Sequence, residues 1–313
     1  MYFENFKESK KIFNSIEKKG IAVSKNFLSK KEILKIKKKS IKNLDKVNLL
    51  ITPSNVKEIY KNKNKKNINL NWLPKKYKKK IIRSEFQQPT GEIEKKLDKK
   101  ILKKGFKYYS NFTNSVAFKD PLINFPEIND IVFNDNLIKT AKKFLKAQPY
   151  LGYVAIRCHF KNNLPAIDFN LFHTDSRIKI TKSKDKVLKL LVPFHLVGKQ
   201  QIEFNQISFK KTKMKSNLFY SLQYSKFSQL PKSLRKKTIN PKVLSGDVLF
   251  FDPENFFHNA DKPNKLRIML YVIFIKKKNY MIPKTKKIKI KKKYFNFFTS
   301  RQKKFAKYLC QTR

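Results

Sequence analysis

The chain has 313 residues, with 74 Lys+Arg against 22 Asp+Glu, for a net charge of +52. That length allows one large domain or two ordinary ones, with a core that needs no covalent staples; two cysteines, Cys158 and Cys310, exclude a disulfide framework and a Cys-rich zinc module. Six glycines, none spaced as GxGxxG, GxxxxGK[ST] or GxSxG, remove the usual signatures of nucleotide folds and α/β-hydrolases.

From the N-terminus, Phe6 to Lys18 reads as a short helix ending at Gly20, followed by a strand over 20–24. Ser29 and Glu32 form a capping-box pattern ahead of Ile33, Ile36, Ile41 and Leu44, which predicts a helix over about 30–44. Residues 54–80 carry the run KNKNKKNINLNWLPKKYKKK, with little periodicity, and read as a flexible insertion or lid. Trp72 and Tyr77 within it fit a base-stacking platform or, more simply, a loop anchored by an aromatic. Residues 91–104 read as helical. Asp135 or Asn136 can cap a helix carrying Leu137, Ala141, Phe144 and Leu145 on one face, closed by Pro149.

From Tyr150 the pattern turns extended. Residues 150–160, 171–180, 187–197, 202–209, 248–252 and 266–275 read as strands, with a helical break at about 224–237. The expected fold is mainly β with flanking helices: an antiparallel barrel or sandwich over about 150–275, under an α-helical layer formed by about 1–149. Residues 1–275 then form one domain. Residues 276–313 form a basic tail whose FNFFTSRQKKFAKYL reads as one amphipathic helix, suited to an anionic surface or to packing on the barrel.

The charge has two readings. A polyanion partner is one. Codon bias is the other: seven of the 74 basic residues are arginines, leaving 67 lysines spread along the chain, whereas dedicated nucleic-acid sites favour the arginine fork. Nucleic-acid binding is therefore expected to be non-specific at most. No stretch approaches the roughly 18 apolar residues of a membrane span. The N-terminus lacks a secretory apolar region, so the expected compartment is the cytoplasm.

Histidine chemistry must use His159, His173, His195 or His258. His173 and Asp175 stand at i and i+2 in a strand pattern, so both leave one face. His258 follows the segment SGDVLFFD, and Arg267 opens the strand after it. Two histidines and one carboxylate on a face, with three positions open, suit a non-heme Fe(II) centre, and a barrel-wall arginine suits a bidentate carboxylate. Arg157 and His159 share a face by period two and are candidates to line the same pocket; structural packing is the competing expectation. His195 reads as a satisfied core or edge residue, and Cys158 as an inert buried thiol.

The set HxD, a distant His after GDVLFF, and Arg shortly beyond resembles the phytanoyl-CoA dioxygenase family of Fe(II)/2-oxoglutarate oxygenases. The similarity extends to GIAVSKNFLSKKEILKI, to VFNDNLIKTAKKFLKAQPYL and to VLSGDVLFFDPENFFHNADKPNKLRIMLYVIF. It departs at GKQQIEFNQISF, where the family carries a glycine-rich segment ending in Ser-His. The resemblance implies a double-stranded β-helix, or jelly roll, in which His173, Asp175 and His258 bind Fe(II) and Arg267 holds the distal carboxylate of 2-oxoglutarate. Arg157 and His159 are further candidates for that cosubstrate's pocket. O2 is the second cosubstrate, and succinate and CO2 are released. Because family halogenases lack the metal carboxylate, Asp175 implies hydroxylation or a related oxidation. The implied substrate is a small molecule or an acidic carrier-linked one, such as a CoA thioester or a nucleotide-linked sugar. The competing expectation, which rests on charge, is a non-catalytic basic jelly-roll protein that binds nucleic acid or anionic lipid.

Overall fold

The computed structural model describes residues 9–43, 47–50, 92–96, 110, 115–162, 170–175, 186–194, 204–210, 213–222, 225–276, 288–307 and 309–313. The 54–80 insertion and His195 lie outside the described residues. Helices α1 (Ser9–Lys19) and α2 (Lys30–Lys42) flank strand β1 (Ile21–Ser24). The Ser29/Glu32 capping box forms as the sequence predicts, with Ser29 Oγ accepting from the Glu32 amide and Glu32 accepting from the Ser29 amide. Gly20 ends α1 at φ +78°, where a Cβ would meet the Phe256 ring at 2.5 Å. Only glycine fits that turn and close approach.

Strands β2 (Val47–Leu50), β3 (Glu92–Lys96) and β4 (Ser115–Phe118) precede helices α3 (Pro121–Asn124), α4 (Asn129–Val132) and α5 (Asp135–Leu145). Then come β5 (Tyr150–His159), β6 (Leu188–Pro193), β7 (Phe204–Lys210), α6 (Ser216–Leu222), α7 (Lys232–Arg235), β8 (Thr238–Ile239), β9 (Val248–Phe251), β10 (Phe256–Ala260) and β11 (Arg267–Ile275). The major sheet runs β1-β9-β6-β11-β5-β4-β2-β3, and the minor sheet β10-β7-β8. From β5 onward the chain crosses repeatedly between the two sheets. The 172–173 segment reaches the minor sheet through a bridge between His173 and His258; β6 returns to the major sheet, β7 and β8 lie in the minor, β9 in the major, β10 in the minor and β11 in the major. All pairings in both sheets are antiparallel. This crossing pattern is the expected double-stranded β-helix.

Side-chain alternation along the strands builds two cores. On the outer face of the major sheet, Leu188, Leu190 and Val192 of β6 and Ile268, Leu270, Val272 and Phe274 of β11 pack with Ile12, Ile16, Ile33 and Ile36 of α1 and α2, and with Leu137, Ala141 and Phe144 of α5. Burying each of these side chains larger than Ala141 contributes about 1.5–3 kcal/mol. Inside the barrel, Leu191, Phe204, Leu249, Phe251 and Met269 form a smaller cluster. Phe172, Ile207 and Phe257 face outward from the minor sheet and are covered by Phe219 and Leu222 of α6 and Leu234 of α7.

Several local expectations are corrected. Residues 91–104 do not begin as a helix: Glu92–Lys96 is a strand paired with β2. The helical layer thus includes three short strands that extend the major sheet, because pairing partners outweigh weak local propensity. Pro231 divides the predicted helix at 224–237, leaving one turn at Phe227–Gln229 and the four residues of α7. The cap of α5 is Asn134, which accepts from two amides, and the helix stops at left-handed Lys146 before reaching Pro149. The tail is not one helix. It forms β12 (Ile288–Lys291), α8 (Lys292–Asn296), α9 (Ser300–Phe305) and β13 (Leu309–Thr312), because Thr299 and Gln302 make a fresh capping box in the middle of the expected helix. Phe298 and Phe305 pack on Phe133. Among the described residues no helix is long and apolar enough to cross a membrane.

Candidate metal centre

His173 and Asp175 sit where the chain enters the minor sheet, and His258 follows the GDVLFF strand β9, as the sequence predicts, lying within the next strand, β10. Reciprocal backbone bonds join His173 and His258, 3.0 Å from the His173 amide and 2.9 Å back. The Asp175 amide donates to the Pro253 carbonyl at 2.9 Å. These bonds fix the three side chains relative to one another. Nε2 of each histidine stands 3.6 Å from Oδ1 of Asp175, and the three ligand atoms lie within 4.8 Å of one another. That spacing is close to what one ion with bonds of roughly 2.0–2.2 Å would span.

Each Nδ1 faces a backbone carbonyl, Leu171 at 2.8 Å for His173 and Phe256 at 3.2 Å for His258. A carbonyl can only accept, so Nδ1 carries the proton and the Nε2 lone pair points into the cluster. The rings of Phe204 and Phe251 pack on the His258 imidazole, the first stacked and the second edge-on. Burial, with repulsion from His173, pushes the His258 pKa down to about 3. Burial opposes ionisation of Asp175, but the Lys189 ammonium and, to a lesser degree, the imidazoles outweigh it and hold the carboxyl well below its ordinary range. The donor set is therefore two imidazole nitrogens and one carboxylate, which suits a divalent first-row metal.

Lys189 was not among the residues expected at the site. Its Nζ donates to Asp175 Oδ2 at 2.8 Å, so Oδ1 is the oxygen left toward the histidines. The available signal was a lysine inside the apolar strand LKLLVP, alternating onto the barrel's inner face.

A second polar row follows the inner faces of β5 and β11. Arg267, 4% exposed, pairs in register with His159, 2% exposed, and donates to the Asp261 carbonyl at 3.0 Å. His159 Nε2 meets the Tyr271 hydroxyl at 2.7 Å. Arg157 donates to the Tyr153 hydroxyl at 2.6 Å. The sequence pattern does not single out Tyr153 and Tyr271 any more than Lys189. Burial, aided by Arg267 and Arg157, holds the His159 pKa well below its ordinary value, and burial raises that of Tyr271. Cys158 faces the outer core, where burial pushes its thiol pKa up.

The two buried histidines give a pH signature. Their folded pKa values are depressed, so the unfolded chain binds more protons below about pH 6.5 and stability falls as pH drops. For the metal-free protein, the denaturant unfolding free energy is expected to fall by about 1 kcal/mol per pH unit per histidine between about pH 6.5 and 5. A flat unfolding free energy over that range would contradict neutral burial.

Fold and site together define a double-stranded β-helix with a His-Asp-His cluster on its inner face. No family model matches the chain, and no curated protein matches it. Solved structures similar to it include the non-heme alpha ketoglutarate dependent epimerase SnoN from nogalamycin biosynthesis, at TM-score 0.48 and 7% identity over 87% of this chain and 84% of that one. HygX from Streptomyces hygroscopicus, solved with nickel, 2-oxoglutarate and hygromycin B, aligns at TM-score 0.48 and 10% identity over 86% and 87%. EctD from S. alaskensis, solved with 2-oxoglutarate and 5-hydroxyectoine, aligns at 0.46 and 12% over 88% and 79%.

Proposed function

We propose that this chain is an Fe(II)- and 2-oxoglutarate-dependent dioxygenase, similar to the phytanoyl-CoA dioxygenase family. It would oxidise a small-molecule or acidic carrier-linked substrate, most simply by hydroxylation, with release of succinate and CO2. The observation that carries the reading is the convergence of His173 Nε2 and His258 Nε2 on the one Asp175 oxygen that Lys189 leaves available. A purely polyanion-binding protein has no need of that arrangement.

Bound iron would supply O2 activation coupled to decarboxylation of the cosubstrate. His173, Asp175 and His258 would hold it through three ligand atoms, leaving positions for the cosubstrate and O2. By engaging Oδ2, Lys189 keeps Asp175 a one-oxygen ligand and so keeps those positions open. Arg267 would clamp the distal carboxylate of 2-oxoglutarate with its fork, in a buried setting where such a pair is strong. His159 and Tyr271, hydrogen-bonded to each other beside Arg267, would line the same pocket and exclude water.

Succinate formation from 2-oxoglutarate, dependent on Fe(II) and O2, tests the reading. Its absence, together with no metal-induced rise in melting temperature, would overturn it. Arg267→Leu should raise the apparent KM for 2-oxoglutarate by about tenfold or more, the cost of losing a charged hydrogen-bond partner. Unchanged cosubstrate dependence would remove Arg267 from this role.

A further inference from the structure

We infer that Arg157 is the receptor for an anionic group of the substrate, a carboxylate or a phosphate, at the open side of the barrel cleft. The inference rests on reading that cleft as the oxygenase site. Along β5, β6 and β11 the two faces differ in accessibility. Val154, Ile156, Leu188, Leu190, Leu270 and Val272 are buried beneath the helical layer. On the opposite face Ala155, His159, Leu191, Arg267 and Met269 are also buried, but Tyr153, Arg157, Lys189, Tyr271 and Ile273 are only partly so, as are His173 and Asp175. These accessible positions adjoin one another. Ile273 pairs with Tyr153 on one side and with Lys189 on the other. A row of side chains thus runs from Tyr153 across the sheet to Lys189, which holds Asp175.

Arg157 stands two inward-facing positions further along β5, paired with Met269, and its side chain reaches back to this row. Its guanidinium lies 5.6 Å from the Tyr153 ring centroid and 5.3 Å from that of Tyr271, and it donates to the Tyr153 hydroxyl. The two rings and the hydrogen bond to Tyr153 restrain the guanidinium, so an incoming oxyanion meets a partly pre-oriented donor and less side-chain entropy is lost. Depth separates Arg157 from Arg267. Arg267 is almost fully buried and suits a cosubstrate that stays covered; Arg157 is half-buried and can be reached from solvent. The surface patch of Lys139, Lys142 and Lys143 on α5 and Lys146 at its C-cap has charge but no planar fork.

The test uses the full chain, 15N-labelled at its seven arginines, with Zn(II) as a redox-silent stand-in for iron. The Arg157 side-chain Nε–H signal is assigned from its disappearance in Arg157→Lys. Addition of 2-oxoglutarate should shift the Arg267 signal and leave Arg157 in place. Inorganic phosphate or benzoate, added next, should shift Arg157 saturably while exposed Arg235 responds weakly and without saturation. The anion that saturates at lower concentration identifies the substrate's charged group. Arg157→Lys keeps the charge but loses the fork, and should weaken that anion about tenfold, read on the ring signals of Tyr153 and Tyr271. If neither anion saturates Arg157, or if 2-oxoglutarate does, the inference is overturned. If Arg157 saturates with an anion while Arg267 ignores 2-oxoglutarate, the oxygenase reading fails and the anion receptor stands.

Discussion

Replacing His173 by Ala is expected to abolish succinate formation from 2-oxoglutarate. The residue would supply one of three ligand atoms, and the remaining Asp175 and His258 give an ion too few protein contacts to stay bound at working concentrations. The loss should exceed the roughly 10–100-fold typical of removing a supporting partner of a metal ligand. The backbone bridge between His173 and His258 does not involve the imidazole, so the barrel should still close and the variant should melt cooperatively. Undiminished turnover in a folded His173→Ala protein would falsify the metal assignment.

The second large effect is expected at Lys189. Lys189→Met leaves Asp175 without its cation. Both side chains are mostly buried, at 17% and 19% exposure, so the uncompensated carboxylate should destabilise the metal-free protein by up to about 3 kcal/mol. A divalent ion would then be the principal counter-charge to Asp175. Metal should therefore raise the melting temperature of Lys189→Met more than that of the wild type, because ligand that binds only the folded state stabilises it. Lys189→Arg should behave like the wild type. Equal metal-induced shifts in the wild type and Lys189→Met would show that the lysine does not share this carboxylate with the ion.

Much of this arrangement could be read from residue order. Long apolar runs such as VLKLLVP and LRIMLYVIFI mark the barrel strands, and the Ser29/Glu32 pair marks the start of α2. His173, Asp175 and His258 stood out because ligand-type residues at i and i+2 share a face. What stayed hidden depended on partners remote in the chain. Strands β2, β3 and β4 are short and carry weak patterns; their extended form comes from pairing with one another and with β5. Lys189 looked like one lysine among 67, and only the fold aims it at Asp175. Tyr271 likewise reads in the sequence as an apolar strand residue, and only the fold sets its hydroxyl against His159.

Strand β11 lies between β5 and β6 in the middle of the major sheet, yet it is made after both. During synthesis, β5 and β6 therefore wait without their shared neighbour until residues 267–275 emerge from the ribosome. Their apolar edges are meanwhile open to mispairing, a hazard of strands joined over long sequence distances. A nascent chain of this kind would gain from a holding chaperone, and the yield of soluble protein should depend on how quickly translation passes through the segment that supplies the central strand.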